Sequence, residues 1–372
     1  MRLAMIRLYC GDSGQKGFYN MQELGLAKAF IKMGINVYII MLSNKVKTTV
    51  EEKDSSGAIL LTVPARNIIN HGFFNCSILT ELKIDVVHLQ SDNQIYAPHV
   101  MRFCYKQGIE CYNYVGTLYS DSNKILKASL MRMFTKRNIK YFKEGIVFAK
   151  TPTVHKQLKK AGAINAQIAP VGLDTEVIPT IQQSKFELRK KLGIPQNKKV
   201  LIFVGRLERY KNPISALKLI QDLKQDCHLI FVGKGTLQKE FLQKVSELKL
   251  QSTVKYIESV PNKEIHSYYK ASDFFINLND KEIFGMSILE AMYQGCTVVA
   301  FKAPGPNYII EDGVSGYLVN NIKEMEEKVK NENFLEEESK KRIQSNFRWE
   351  LTAKTIISTL NFKKEKEKKC TF

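Results

Sequence analysis

Two carboxylates, a glycine turn and two cations carry most of the chemistry in this 372-residue sequence. Glu282 stands just before Gly285, and Glu290 about one helical turn beyond it. The run Asp273-Phe274-Phe275-Ile276-Asn277-Leu278 ahead of them reads as a buried parallel strand, and Met286 to Gln294 reads as a helix. A strand that feeds a tight turn and a helix N-terminus presents unpaired N–H groups and the positive end of the helix dipole, which together favour an anion. One carboxylate could reach a sugar and the other a ribose, with a diphosphate between them on the turn amides. The competing reading is an ordinary βα unit with surface acids.

A second loop adds the cations. The strand Val200–Val204 ends in Gly205-Arg206-Leu207-Glu208-Arg209-Tyr210-Lys211-Asn212-Pro213. Gly205 lets a ligand approach the backbone. Arg206 supplies a planar fork and Lys211 a point charge, the pair of donors that suits a diphosphate. Taken singly such a loop is usually a solvated turn. Its place after a strand, in the same half of the chain as Glu282 and Glu290, favours function.

The elements that must hold these groups are βα repeats. In the first half, apolar runs at 5–10, 36–42, 59–63, 85–89, 111–115, 145–149 and 166–169 read as strands, with helices at 21–32 and near 98–107. Gly11 to Gly17 reads as a loop. The polar segment 178–199, with Pro179 and Pro195, marks a boundary, after which strands at 200–204, 228–232, 254–257, 274–278 and 297–300 restart the alternation. The expected class is α/β, with two Rossmann-like doubly wound domains facing a cleft. The expected domains are 1–177, 178–345, and a C-terminal helix with a charged tail at 346–372.

The totals narrow the class further. Net charge is +19, shared as +11 over 1–175 and +8 over 176–372. That suits nucleic acid, an anionic membrane or a phosphorylated substrate. No apolar run reaches the ~20 residues that span a bilayer. The N-terminus leads straight into a strand, so a cytoplasmic protein is expected. Seven cysteines without a C-x-x-C pair argue against disulfide or metal roles.

Gly-Arg-x4-Lys after a strand, Glu282-Ile283-Phe284-Gly285-x4-Glu290-Ala291, Gly295 before Val298-Val299, and Glu311-Asp312-Gly313 through Val319 follow one another at characteristic spacings. Over about 198–320 this order resembles the retaining nucleotide-sugar glycosyltransferases of family 4, which have the two-domain B-type fold. The resemblance implies that Arg206 and Lys211 hold the donor diphosphate and that Glu282 contacts the donor sugar, in a positioning and electrostatic role. It implies that Phe284, Gly285 and Met286 offer backbone amides, that Glu290 binds the ribose, and that Val260 reaches the base. The implied donor is a nucleotide sugar, with uridine expected as the base. Arg206, Lys211 and the helix N-terminus are suited to the charge that grows on the leaving diphosphate, so no metal or other cofactor is expected.

The first half departs from that pattern. The double glycine that family members carry before their first long helix reads Gly17-Phe18 here, leaving Gly17 as the one donor contact. Where many members place a histidine, this chain has Tyr114-Val115-Gly116-Thr117. His88, on an apolar run, reads as a hydrogen-bonded core residue. The stretch 124–143 has seven cations and no acid, with apolar residues at helical spacing. Lys124, Lys127, Arg132, Lys136, Arg137 and Lys140 are its candidate contacts to an anionic bilayer or to the acceptor. The alternative is a helix packed on the sheet with a solvated basic face. The expected acceptor is a saccharide, or a lipid-diphosphate-linked saccharide in bacterial surface polysaccharide synthesis, with peripheral attachment to the inner face of the plasma membrane. Competing functions are a nucleotide-sugar epimerase of the same fold and a non-catalytic basic membrane- or nucleic-acid-binding protein. No nucleic-acid motif is visible, and nucleic acid is not an expected partner.

Overall fold

The computed structural model describes residues 1–10, 22–68, 70–118 and 125–369. The chain divides into two compact units, Met1–Gly172 with Trp349–Phe372, and Leu173–Arg348.

Unit 1 is built on a sheet of strands β1 (Arg2–Arg7), β2 (Asn36–Ser43), β3 (Val50–Lys53), β4 (Ile59–Pro64), β7 (Val86–Gln90), β8 (Glu110–Val115), β9 (Ile146–Ala149) and β10 (Gln167–Ile168). Their spatial order is β10-β9-β8-β7-β1-β2-β4-β3. A separate short pair, β5 (Arg66–Ile68) and β6 (His71–Phe73), lies outside that sheet. Helices α1 (Gln22–Lys32), α2 (Ile78–Glu81), α3 (Ala97–Lys106), α4 (Ile125–Phe142) and α5 (Pro152–Lys160) connect them. All pairings in the large sheet are parallel except β3 on β4. The parallel strands are apolar because they are covered on both faces: Leu3, Ala4, Met5 and Ile6 are all buried.

Several sequence expectations shift. The first strand, read at 5–10, runs from Arg2 to Arg7, because Arg2 already pairs with Asn36 and Leu3 with Val86. Tyr9 instead bridges to His71. The polar edge strand β3 was not expected: all four of its residues are exposed, so it carries no apolar signal. The loop at 11–17 lies outside the described residues.

Unit 2 repeats the plan with β11 (Lys199–Val204), β12 (Cys227–Val232), β13 (Val254–Ile257), β14 (Phe274–Asn277), β15 (Thr297–Phe301) and β16 (Gly316–Val319), in the order β13-β12-β11-β14-β15-β16, all parallel. Its helices are α6 (Lys185–Leu192), α7 (Pro213–Leu223), α8 (Gln238–Glu247), α9 (Asn262–Ala271), α10 (Met286–Tyr293), α11 (Pro306–Ile309), α12 (Ile322–Asn331) and α13 (Glu336–Asn346). Phe203, Phe231 and Phe241 stack through the middle of its core, with ring centroids 4.4 and 4.3 Å apart. The sheet runs outward in both directions from β11 and β14, so the strand order reverses between them.

The division falls at 172/173 and 348/349, where 177/178 and 345/346 were expected. Leu173 N–H donates to Phe347 O at 2.7 Å, which ties both edges of unit 2 together. Helix α14 (Trp349–Lys369) belongs to unit 1 and continues as helix through the charged run 363–369, which was expected only as a charged tail. Its anchor is Trp349, buried on α1 over Gly25: a Cβ at Gly25 would lie 2.3 Å from Trp349 Nε1. Thr352 Oγ1 donates to Pro170 O at 2.6 Å beside it. Trp349→Ala removes this anchor. Urea unfolding followed by circular dichroism is expected to show a loss of about 3–5 kcal/mol, as for other buried aromatic truncations.

Candidate functional site

The site in unit 2 begins with the neighbours β11 and β14. Asp273, buried at the start of β14, sets their alignment. Its Oδ2 accepts from Arg189 Nη2 at 2.6 Å and from Val200 N–H at 2.8 Å, and its Oδ1 accepts from Lys185 Nζ at 3.0 Å. Arg189 Nε also donates to Ala271 O at 2.9 Å. Helix α6 and the starts of β11 and β14 are therefore held by one carboxylate. The loops at the opposite, carboxyl ends of these strands follow from that alignment, and open α/β sheets place ligands there where strand order reverses.

The β11 loop is a close-packed backbone structure. Gly205 N–H donates to Val232 O at 3.0 Å, and a Cβ on Gly233 would lie 1.8 Å from Gly205 O. Glu208 braces the loop after β12 by accepting from Thr236 N–H at 3.2 Å and Thr236 Oγ1 at 2.8 Å. Arg206 is exposed and lies along Tyr210. Its Nε and Nη2 donate to the Tyr210 hydroxyl at 3.1 and 2.7 Å. The same ring lies 5.5 Å from Lys211 Nζ. One aromatic side chain thus supports both cations.

The β14 loop brings the carboxylate to them. Asn277 and Asn279, both buried, shape the turn: Asn277 Oδ1 accepts from Asn279 N–H at 3.0 Å, and Asn279 Oδ1 from Lys281 N–H at 3.1 Å. Glu282 Oε2 then accepts from Asn279 Nδ2 at 3.1 Å and forms an ion pair with Lys211. Gly285 opens α10 at φ +103°, a conformation that favours glycine. Phe284 and Gly285 are buried and Met286 is half-buried. Glu290, also buried, accepts from the Tyr269 hydroxyl at 3.1 Å. Val260 is half-buried in the loop after β13.

The structure therefore joins Arg206, Lys211 and Glu282 around Tyr210 and Asn279. It places Phe284, Gly285, Met286 and Glu290 on the same βα unit as Glu282. Gly17 lies outside the described residues. Sequence reading did not single out Asn279, Tyr210 or Tyr269. An Asn-x-Asn at a strand end and an aromatic four positions after Arg206 were the available signals.

The basic stretch 124–143 forms helix α4. Lys124 lies outside the described residues, as does the Lys127 side chain. Met131, Thr135, Asn138 and Phe142 are buried and form one stripe facing the protein. Arg132, Lys136, Arg137 and Lys140 are exposed. Among the described side chains, Met131 and Phe142 are therefore packed inward, and a cationic face remains. Arg137 donates to Ile95 O and lies 5.7 Å from the Phe134 ring. His88 is a core residue, with Nδ1 2.9 Å from the Tyr112 hydroxyl, and burial pushes its pKa down to about 3.

Gly305 closes the site from behind. Its N–H donates to Glu282 O at 2.8 Å, and a Cβ there would lie 2.1 Å from Phe284 O. Gly305→Ala must therefore displace the loop that carries Glu282. A thermal melt is expected to show a stability loss of about 1–3 kcal/mol, the usual cost of overpacking.

Residues 184–348 match a family model described as "Glycosyl transferases group 1". The alpha-monoglucosyldiacylglycerol synthase of Streptococcus pneumoniae is 30% identical over 161 residues, 42% of this chain and 36% of that protein. The putative teichuronic acid biosynthesis glycosyltransferase TuaC of Bacillus subtilis is 26% identical over 177 residues, 46% of this chain and 43% of that protein. The chain thus matches well under half the length of these relatives. Among solved structures, sucrose-phosphate synthase of Thermosynechococcus elongatus superposes with a TM-score of 0.75 at 16% identity, covering 97% of this chain and 98% of that one. HepE of Anabaena, in complex with UDP-glucose, gives 0.71 at 17% identity, covering 97% and 99%. At such identities the likeness shows the fold, which is the B-type glycosyltransferase fold of two Rossmann-like domains. On that fold, the match to the glycosyl transferases group 1 model falls on residues 184–348, most of unit 2.

Proposed function

We propose that the chain is a retaining glycosyltransferase that moves a hexose from a uridine diphosphate sugar to a saccharide acceptor. The observation that carries this reading is the meeting of Arg206 and Lys211 on the β11 loop with Glu282 on the β14 loop. Arg206 and Lys211 would hold the diphosphate, and the N-terminal turn of α10 would add its N–H groups. As the glycosidic bond breaks, negative charge grows on the departing phosphate oxygen. Cations already oriented by Tyr210 would stabilise that charge without reorganising, which makes the reaction independent of a metal in this reading. The same oxygen would help deprotonate the acceptor hydroxyl on the face it leaves, giving retention. Glu282 would position the donor sugar hydroxyls, and Glu290 the ribose. Lys211 pairs with Glu282, and the donor diphosphate would share that cation. The complex of HepE with UDP-glucose supports uridine as the base. The diacylglycerol-glycoside and teichuronic acid relatives support an acceptor that is a lipid-linked or surface saccharide.

Nucleotide release from UDP-, GDP- and TDP-sugars, with membrane extract as acceptor, tests this reading. Acceptor-dependent release with one donor is expected, unchanged by EDTA. Loss of both cations in the Arg206→Ala, Lys211→Ala double variant should lower kcat/KM at least about a hundredfold, two charge-assisted contacts being removed. Release that the double variant retains would refute the assignment.

Peripheral membrane attachment is the second part of the proposal, through charge alone. The exposed Arg132, Lys136 and Lys140 of α4 face solvent together, with the apolar stripe turned inward. Cosedimentation with liposomes rich in phosphatidylglycerol should be strong at low salt and lost near 0.5 M NaCl, where the Debye length falls to a few Å. Replacing all three cations by Glu should abolish it, and persistence at high salt would refute a purely electrostatic contact.

A further inference from the structure

Unit 1 holds a polar cavity of about 390 Å³ that the donor contacts do not use. It lies at the carboxyl ends of parallel strands. Arg7 ends β1, Gln90 ends β7, Lys150 follows β9, and Gln22 and Glu23 open α1. Most of its charged groups are already engaged. Glu23 Oε1 accepts from Gln90 Nε2 at 2.7 Å and faces Arg7 Nη1 at 3.7 Å. Asp92 Oδ1 accepts from the N–H groups of Gly116 and Thr117 at 2.7 and 3.1 Å.

Lys150 is different. Its stem crosses Gly116, where a Cβ would lie 3.0 Å from Lys150 Cδ, and its own N–H donates to Val115 O at 3.0 Å. The ammonium is thereby delivered into the cavity. There it lies over the Tyr114 ring at 4.9 Å and makes one long hydrogen bond, 3.5 Å to Gln22 Oε1. An ammonium has three N–H donors. Among the described residues, none of the ion pairs includes Lys150. Burial lowers its pKa, against the pull of Asp92 and Glu23.

We propose that this cavity binds the phosphoryl group of a sugar-sized ligand, with Lys150 as its anion contact. The volume falls in the range of small-molecule sites, and the glutamines Gln22 and Gln90 offer partners for hydroxyls. A phosphoryl group could come from a phosphorylated acceptor or from a nucleotide. The acceptor is the favoured source, because Arg206 and Lys211 already provide for a diphosphate in unit 2. That last step alone rests on the transferase reading.

Calorimetric titration of the full chain carrying Arg206→Ala and Lys211→Ala tests the cavity with the unit 2 cations removed. Glucose 6-phosphate is expected to bind, and glucose at least about tenfold more weakly, the value of one charge-assisted contact. Adding Lys150→Met should cost about tenfold for glucose 6-phosphate and nothing for glucose. Lys150→Arg should restore binding and extend it to higher pH, because the lowered pKa of Lys150 discharges it earlier than a guanidinium. UDP that displaces glucose 6-phosphate in this background would support the same anion contact with a nucleotide as the source. Undiminished binding by a folded Lys150→Met protein, or none by its parent, would overturn the proposal. A cavity that binds in this way, in a protein that releases nucleotide from no sugar donor, would refute the transferase reading and leave the anion site standing.

Discussion

The site in unit 2 depends on one buried carboxylate. Asp273 joins Arg189, Lys185 and the Val200 amide, and so fixes β14 against β11. Those strands are far apart in the chain and are separated by two intervening βα units. Their adjacency comes from the reversal of strand order, and their alignment comes from this contact. The charges are nearly enclosed, with Arg189 and Asp273 each 7% exposed. A pair of that kind adds little net stability over an apolar replacement, but removing one partner strands the other in a poor dielectric. It acts as a registration device more than as a source of stability.

That alignment lets opposite charges meet at the far ends of the same strands. A half-buried carboxylate beside these loops would be costly if it stood alone. Glu282 does not: Lys211 neutralises it and Asn279 donates to it. Tyr210 holds the second cation by accepting two hydrogen bonds from Arg206. Hydrogen bonds and ion pairs within the protein thus hold Arg206, Lys211 and Glu282 in place. The close approach of Gly233 to Gly205, and of Gly305 to Phe284, leaves the loop backbones no room to relax.

Unit 1 applies the same geometry to a different end. Strand ends again converge, and the cavity they make is lined by Gln22, Gln90 and Gln94, by the engaged Arg7, Glu23 and Asp92, and by the Lys150 ammonium with its one long hydrogen bond. Helix α4 shows how a packed fold resolves an ambiguous amphipathic pattern. Met131, Thr135, Asn138 and Phe142 turn inward, so Arg132, Lys136 and Lys140 are left on the surface. Trp349 performs the corresponding task for α14, using the missing side chain of Gly25 as its seat.

Much of this was legible in the chain itself. Apolar runs of four to six residues fixed most strands to within a residue or two, because burial on both faces of a parallel sheet imposes a continuous apolar signal. The loop residues Arg206, Lys211, Glu282 and Gly285 were visible by type and by their place after strands. What lacked such a signal was missed: β3 is polar and exposed, and Asn279 and Tyr210 look like ordinary loop residues. The sequence by itself determined the periodicities, the turn glycines and the charges, since each depends on neighbours a few positions away. Only the tertiary structure decided that Lys211 meets Glu282 across 71 positions and that Lys150 meets Gln22 across 128. Those contacts depend on strand order and register, which are set by packing of the whole sheet and leave no local trace.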